Sequence, residues 1–542
     1  MMKSNNNKVI NDLLSKSEHF KLPENINYII IYSFLFKYCS DNLKDYLVYE
    51  ISDEELTLDE AYEIPEYQNK FKTNSLNIFG YYIEKPQAFF DEIRNNCFLK
   101  DSFLKEFFTL FSQNIIFDLQ REKAYFDYLF KVIDEEINVE EYVGDEEINR
   151  SIKEIIHLIS KLDIFEEDLT FKEAFDIIAG SELMKIKNND ENYSKILSSL
   201  VSCQKNYVYQ VYDPFLNNGE SIIKLARECE LGLNKIYAKE EDKLTYCFNI
   251  VKLYLNNFNL ANVYLKQENA FKSIDIEQAT FDVILSKIPS SINDYAISNV
   301  NHDREILKRS RKNDIEGILL ENFPVSDESL IRSHKLNKAM DNLLETVDFS
   351  DVLNDFDGEY ESLMDSEFLF LINLIDCLKN TGIMAVSISH DFLFKNSLKI
   401  LRKYITYEKN YIEAIIRPPD WLKNEVIIIF KKNRLNKNVL FIDMSDGGKN
   451  QKNDMNIDNS GIAKMCDVFS NRVTVDKYSK IADIGEISKN DFDLSVSLYV
   501  DTLDEEFIKL EDLLEDKKSI DLKISELNSQ IKKLMDELNI NI

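Results

Sequence analysis

From residue 207 to residue 442, short β-prone runs alternate with helical stretches, a rhythm that few folds accept. A run at 207–212 leads into a turn at 213–219 and a helical pattern at 221–230. A strand at 235–238, a helix at 243–256 and a strand at 261–265 follow. Apolar runs at 281–285, 384–388, 412–416, 426–430 and 439–442 continue the series. Strands alternating with helices imply an α/β fold whose largely parallel sheet is covered on both faces. The stretch 290–361 interrupts the rhythm with charged, mainly helical sequence and reads as an insertion at the sheet edge.

The flanking regions differ in character. Residues 1–165 read as a helical domain, with apolar residues such as Ile31, Phe34, Leu35 and Tyr38 at three- and four-residue spacing. The acidic stretch 134–147 there reads as a solvated surface. The α/β domain is expected over 166–445, followed by a connecting segment at 446–502. At 503–542, Leu510, Leu513, Lys517, Ile520, Ile524, Leu527, Ile531, Leu534 and Leu538 alternate by three and four residues. That is an a/d stripe of a coiled-coil helix, suited to docking another subunit or to folding back on its own domain.

Several classes of function drop out. With 65 basic and 96 acidic residues the formal charge is −31, which argues against a broad basic face that grips nucleic acid unaided. The greasiest segment, 26–36, is about half the length that spans a bilayer, and no signal peptide is expected, so no membrane partner is. Seven cysteines lie singly, as reduced thiols of the cytoplasm do, and the five histidines are isolated, so no metal site is expected. The basic run Arg304, Lys308, Arg309, Arg311 and Lys312 reads as a solvated helix face. Trp421, after Pro418-Pro419, reads equally as packing or as part of a cofactor edge.

In a doubly wound sheet, ligands sit above the carboxyl ends of the strands, beside the first strand–turn–helix. That turn here is Asp213-Pro214-Phe215-Leu216-Asn217-Asn218-Gly219. Gly219 allows a cofactor to approach the backbone, and Asn217 and Asn218 are the non-glycine residues that most readily take positive φ. With only 12 glycines in 542 residues, one placed here is informative. A nucleotide site also needs an acid at the end of the second strand, roughly 20 to 30 residues on, to accept ribose hydroxyls. Glu240 has that position.

A set of motifs in fixed order adds to this. Phe34-Leu35-Phe36-Lys37-Tyr38-Cys39-Ser40-Asp41 is similar to an F-L-K-Y-x-S-D signature, Asp213–Gly219 to a D-P-A-C-G-S-G loop, and Tyr237–Glu240 to a G-Q-E strand end. Phe281–Leu285 matches a strand that delivers a catalytic loop, Leu378–Gly382 an L-K-x-G-G turn, and Arg402 the Arg of an I-R-x-x-L helix. Asn490–Ser495 with Tyr499 and Val500 is similar to N-D-Y-x-L-x…Y-V. Together they resemble the modification subunit of type I restriction-modification systems, an N6-adenine DNA methyltransferase family. The resemblance implies a Rossmann-like methyltransferase sheet and S-adenosylmethionine held by Asp213, Pro214, Phe215, Asn217, Gly219, Glu240 and Asn269. It also implies action on DNA as part of a complex, a specificity subunit docked through the C-terminal helix, and a restriction subunit as a further partner.

The sequence departs from the family where the chemistry is done. An N-P-P-[FYW] loop accepts the hydrogens of the target amine and stacks the extruded base. Its positions here are Lys287, Ile288, Pro289 and Ser290. A lysine ammonium has donors and no acceptor, and serine lacks a ring for stacking, worth roughly 1–3 kcal/mol per base. Asn217 replaces a glycine of the cofactor loop, and Tyr193-Ser194-Lys195 stands where a T-P motif is expected. A kept scaffold with altered motifs favours weakened or lost activity, or a catalytically inactive scaffold that serves assembly alone.

Overall fold

The computed structural model describes residues 5–51, 56–186, 191–229, 232–270, 280–288, 371, 374–422, 425–445 and 457–502, with Lys517, Lys523, Ile524 and Leu527 beyond. Pro289, Ser290, the insertion at 290–361 with its basic run, and nearly all of the C-terminal stripe lie outside these residues. The four described C-terminal residues are helical, and Ile524 and Leu527 are exposed.

The N-terminal region is helical, as its periodicity implies, with one small antiparallel ribbon of β1 (Tyr81–Ile83) and β2 (Ile115–Phe117). Its centre is the helix Ile26–Glu50, whose middle turns are apolar on every side and therefore buried on every side. Tyr32 and Phe36 meet Phe107 and Phe111 in an aromatic cluster, with Phe36 stacked 4.2 Å from Phe111. The Phe34–Asp41 signature lies on this helix and is structural. Lys37 pairs with Asp41 at 2.5 Å, and Ser40 accepts the Phe90 N–H at 3.0 Å.

The remaining strands are β3 (Val208–Asp213), β4 (Leu233–Glu240), β5 (Val263–Gln267), β6 (Phe281–Lys287), β7 (Leu378–Ser389), β8 (Ile412–Arg417), β9 (Glu425–Phe430), β10 (Val439–Asp443) and β11 (Ser479–Ala482). They form one nine-stranded sheet in the order β11-β10-β8-β9-β7-β6-β3-β4-β5. Pairing is parallel except where β9 runs against β7 and β8, and where β11 runs against β10. The fold is mixed α/β with a mostly parallel sheet, as the alternating pattern implies. The chain builds β3, β4 and β5 outward, then returns to lay β6 on the other side of β3. The strand order reverses there, which opens a crevice at the carboxyl ends of β3 and β6.

The two faces of the sheet bury different side chains. Val211, Val283, Leu285 and Ile383 join a core continuous with the N-terminal helices, while Tyr212, Ile284, Met384 and Val386 face a second core. The N-terminal region also covers the β5 edge. The Tyr125 hydroxyl donates to the Val263 carbonyl and accepts the Leu265 N–H, both at 2.8 Å. Past residue 445 the chain is more than a connection, since the helix Asn459–Asn471 and the edge strand β11 complete the sheet.

Two other motif regions serve as braces. Gly382 lies where the β6–β7 register shifts, and a Cβ there would sit 2.6 Å from Leu378 Cδ1 and 2.9 Å from the Phe281 carbonyl, so no side chain fits. Arg402 is fully buried. Its guanidinium donates to the carbonyls of Phe492 (2.7 Å), Phe392 (3.1 Å) and Lys395 (2.7 Å), and burial lowers its pKa to about 10. Tyr499 stacks on Phe441 at 3.9 Å and donates to the Asp493 carbonyl at 2.6 Å.

Candidate functional site

The crevice begins where β3 ends. The buried Asp213 carboxylate accepts the Phe215 N–H at 3.1 Å, which turns the chain off the strand. Pro214 is buried and Phe215 half-buried against the second core. The Leu216 N–H donates to the Lys239 carbonyl at 3.1 Å, tying the loop to β4. Asn217 then takes φ +51° and Gly219 φ +72°. The Asn217 side chain holds the turn by donating to the Phe215 carbonyl at 2.6 Å, and Asn249, on the helix Lys243–Leu255, donates to the Asn217 carbonyl. A Cβ on Gly219 would lie 2.8 Å from Asn249 Oδ1, which leaves that position to glycine. Asn249 Oδ1 itself is buried with no hydrogen-bond partner among the described residues. Gly219 starts the helix Glu220–Glu228, so the loop also presents a helix N-terminus.

Glu240 ends β4 beside this loop. Its carboxylate accepts the Asp242 N–H at 3.0 Å, and the Asn217 and Glu241 N–H groups also help to hold it charged. Burial outweighs them and raises its pKa to about 7. Asp213 is raised to about 7 as well, chiefly by burial and further by the charge of Glu240. Two carboxyl groups that resist ionisation, with no cation paired to them among the described residues, suit a ligand that brings positive charge and hydroxyl donors. Asn269 lies just beyond β5 and donates to Glu241 at 3.0 Å, one strand further out than the other six residues of the cofactor set.

Two residues further along β6 than the register of Asp213, the chemistry changes. Lys287, the last residue of β6, places its ammonium 3.5 Å from the Glu425 carboxylate and 4.2 Å from the ring centre of Tyr193. Glu425 begins β9 and reaches across β7, where Ser387 Oγ donates to it at 2.5 Å. Tyr193 is buried on the helix Glu191–Ser202 and donates to the Leu422 carbonyl at 3.3 Å. Ile288 is fully buried, with its N–H on the Ser387 carbonyl at 2.9 Å. The end of β6 thus offers donors and an apolar side chain.

Glu425, Ser387 and Asn249 did not stand out in the sequence. Glu425 is the charge that opens an otherwise apolar run at 426–430, and such an acid at a strand mouth is the signal that could have found it. It also lines a cleft of about 310 Å³ with His390, Arg417, Pro419, Asp420 and Ser497 on the same edge of the sheet. Burial and the Arg417 charge lower the His390 pKa. Trp421 packs half-buried against the first core. Among the described residues no cluster of three or more His, Cys, Asp or Glu side chains could hold a metal ion, and no helix is long and apolar enough to cross a membrane.

Comparison with known proteins agrees with the sequence motifs. Residues 346–507, which carry β7 to β11, match the N-6 DNA Methylase family. The chain is similar to the type I restriction enzyme MpnII methylase subunit of Mycoplasma pneumoniae, at 22% identity over 95% of this chain and 94% of that protein. Against the type I restriction enzyme MjaVII methylase subunit of Methanocaldococcus jannaschii it is 34% identical over 24% of this chain and 25% of the relative. The fold matches that of a type I restriction-modification system methyltransferase subunit from Streptococcus thermophilus, with a TM-score of 0.66 and 18% identity over 92% of this chain and 100% of the other. The chain is therefore type I methylase-subunit-like along nearly its whole length.

Proposed function

We propose that this chain is a modification-type subunit of a type I restriction-modification complex that keeps a cradle for S-adenosylmethionine and has lost methyl transfer to adenine N6. The observation that carries the proposal is the setting of Lys287. Transfer to an exocyclic amine needs an acceptor that takes the amine hydrogens as nitrogen gives up its electron pair. Lys287 has only donors, and its ammonium is already engaged by Glu425 and by the face of Tyr193.

On the cofactor side the residues fit the implied group. Gly219 holds the loop in a positive-φ turn packed on Asn249, the helix Glu220–Glu228 starts beside it, and Asp213 and Glu240 supply acceptors. S-adenosylmethionine supplies an electrophilic methyl group when bound. Glu240 would accept ribose hydroxyls, Asp213 would fix the loop and favour the ligand's positive charge, and Asn217 and Gly219 would present backbone. The proposed complex includes DNA, a specificity subunit docked through 503–542 and a restriction subunit, in the cytoplasm. The charge of −31 then leaves the partner to supply much of the field that attracts DNA.

Labelled methyl transfer tests this. Full-length protein, alone and with its specificity subunit, is incubated with DNA and S-adenosylmethionine carrying a tritiated methyl group. No label in N6-methyladenine is expected, while ultraviolet crosslinking attaches the cofactor to the chain. Label in N6-methyladenine refutes the loss of transfer. A second reading, a scaffold that binds no cofactor, is favoured by the backbone N–H groups that already occupy Glu240. Absence of crosslinking would select it.

A further inference from the structure

Two cysteines that the cofactor site does not use lie against each other on the opposite edge of the sheet. Cys203 follows the helix Glu191–Ser202, and Cys466 is on the helix Asn459–Asn471. Both are half-buried. They converge on one turn of backbone: the Ser199 carbonyl accepts the Cys203 N–H at 3.1 Å and the Cys466 thiol at 3.5 Å, while the Cys203 thiol donates to the Leu200 carbonyl at 3.3 Å. The two thiols are near enough to influence each other's ionisation.

The surroundings are polar and cationic on the Cys203 side. Lys431 donates to Gln204 Oε1 at 3.0 Å, and Gln204 Nε2 lies 3.4 Å from Ser470 Oγ, so ammonium, amide and hydroxyl frame the thiol. Lys431 and the Ser470 hydroxyl favour the thiolate there. The neighbouring Cys466 thiol is the largest influence and brings the Cys203 pKa down to about 7, whereas Cys466 is held well above its ordinary value. A thiol favoured as thiolate beside a second thiol is the usual arrangement of a reactive and a resolving cysteine.

We infer that Cys203 and Cys466 form a hydroperoxide-reactive dithiol that closes to a disulfide between the helices Glu191–Ser202 and Asn459–Asn471. The Cys203 thiolate attacks the distal oxygen of a hydroperoxide. The O–O bond breaks, and the departing alkoxide or hydroxide takes a proton from water, leaving a sulfenic acid on Cys203. Cys466 loses its proton and attacks that sulfur, the S–O bond breaks, and water leaves. Two thiols are oxidised by two electrons, and one hydroperoxide is reduced to an alcohol (or water) and water. The bond would pin the helix that carries Tyr193, the residue stacked over Lys287.

The test uses the reduced full-length chain with one equivalent of hydrogen peroxide at pH 7, followed by alkylation and peptide mass spectrometry. The expected product is one Cys203–Cys466 linked peptide pair, reversed by dithiothreitol, with Cys203 alkylated about tenfold faster than Cys377 before oxidation. In the Cys466→Ser variant, a sulfenic acid on Cys203 is expected to accumulate and to be captured by dimedone. The Cys203→Ser variant is expected to give neither product. Retention of both thiols after peroxide, or a link from either cysteine to another one, overturns the inference. Circular dichroism of each Ser variant matching the parent ensures that a lost reaction reflects chemistry.

Discussion

The ends of β3 and β6 lie side by side in one sheet, and both depart from the motifs that the sequence otherwise resembles. They tolerate the departure differently. At β3 the motif has a glycine, and the loop takes a positive φ there. Asn217 meets that need at φ +51° and adds a side-chain hydrogen bond to Phe215 that glycine cannot make. At β6 the motif has an asparagine, and under the proposed function that position calls for an acceptor. Lys287 meets no part of it, and the protein has instead built Glu425, Ser387 and Tyr193 around the ammonium. A backbone requirement can be served by a second residue type, whereas a requirement for a lone pair cannot be served by a cation.

The sharpest way to break the β3 side is Gly219→Val. Strain at φ +72° and the clash with Asn249 Oδ1 together should cost about 3 kcal/mol by urea unfolding, and S-adenosylmethionine binding should vanish. On the β6 side, Lys287→Met leaves the largely buried Glu425 without its cation and should cost about 2 kcal/mol. Glu425→Gln in the same chain should recover more than half of that. A full double-mutant cycle showing no coupling would mean that the pair is incidental.

A smaller effect comes from acid titration. The folded pKa of Asp213 is about 7, above its unfolded value of about 3.9. Between these values the folded chain holds a proton that the unfolded chain has released, so this group's contribution to stability falls as pH rises from about 4 to 7. Asp213→Asn should flatten that part of the stability profile and gain about 1 kcal/mol at pH 8. An unchanged profile would show that Asp213 is ionised without penalty. Smallest of all, Asn217→Gly should change stability by no more than about 0.5 kcal/mol and leave cofactor binding intact, because glycine accepts the same φ.

How far these regions are legible in the sequence follows from the physics of each. The strands of the sheet stand out as apolar runs because buried parallel strands need little else, and the loop at 213–219 stands out because positive φ restricts residue choice to glycine and asparagine. β11 escaped notice because an edge strand of four residues, Ser479–Ala482, carries no continuous apolar signal. β1 and β2 are three residues each and are lost within helical periodicity. Lys287 was identifiable as a departure, but its partners were not. Glu425 and Tyr193 lie far from it along the chain, and only the order β6-β7-β9 brings the acid to the ammonium. The thiol pair was invisible for the same reason, since 263 residues separate Cys203 from Cys466 and spacing alone suggested isolated cysteines.

One calorimetric titration with S-adenosylmethionine at pH 7, run on the full-length chain and on its Asn217→Val and Lys287→Asn variants, compares the two strand ends directly. The parent and Lys287→Asn should bind with the same affinity, and binding should be at least about tenfold weaker in Asn217→Val, where a β-branched residue is forced to positive φ. Absence of binding by the parent, or an equal loss in Lys287→Asn, would contradict the account of a kept cofactor cradle beside a lost catalytic end.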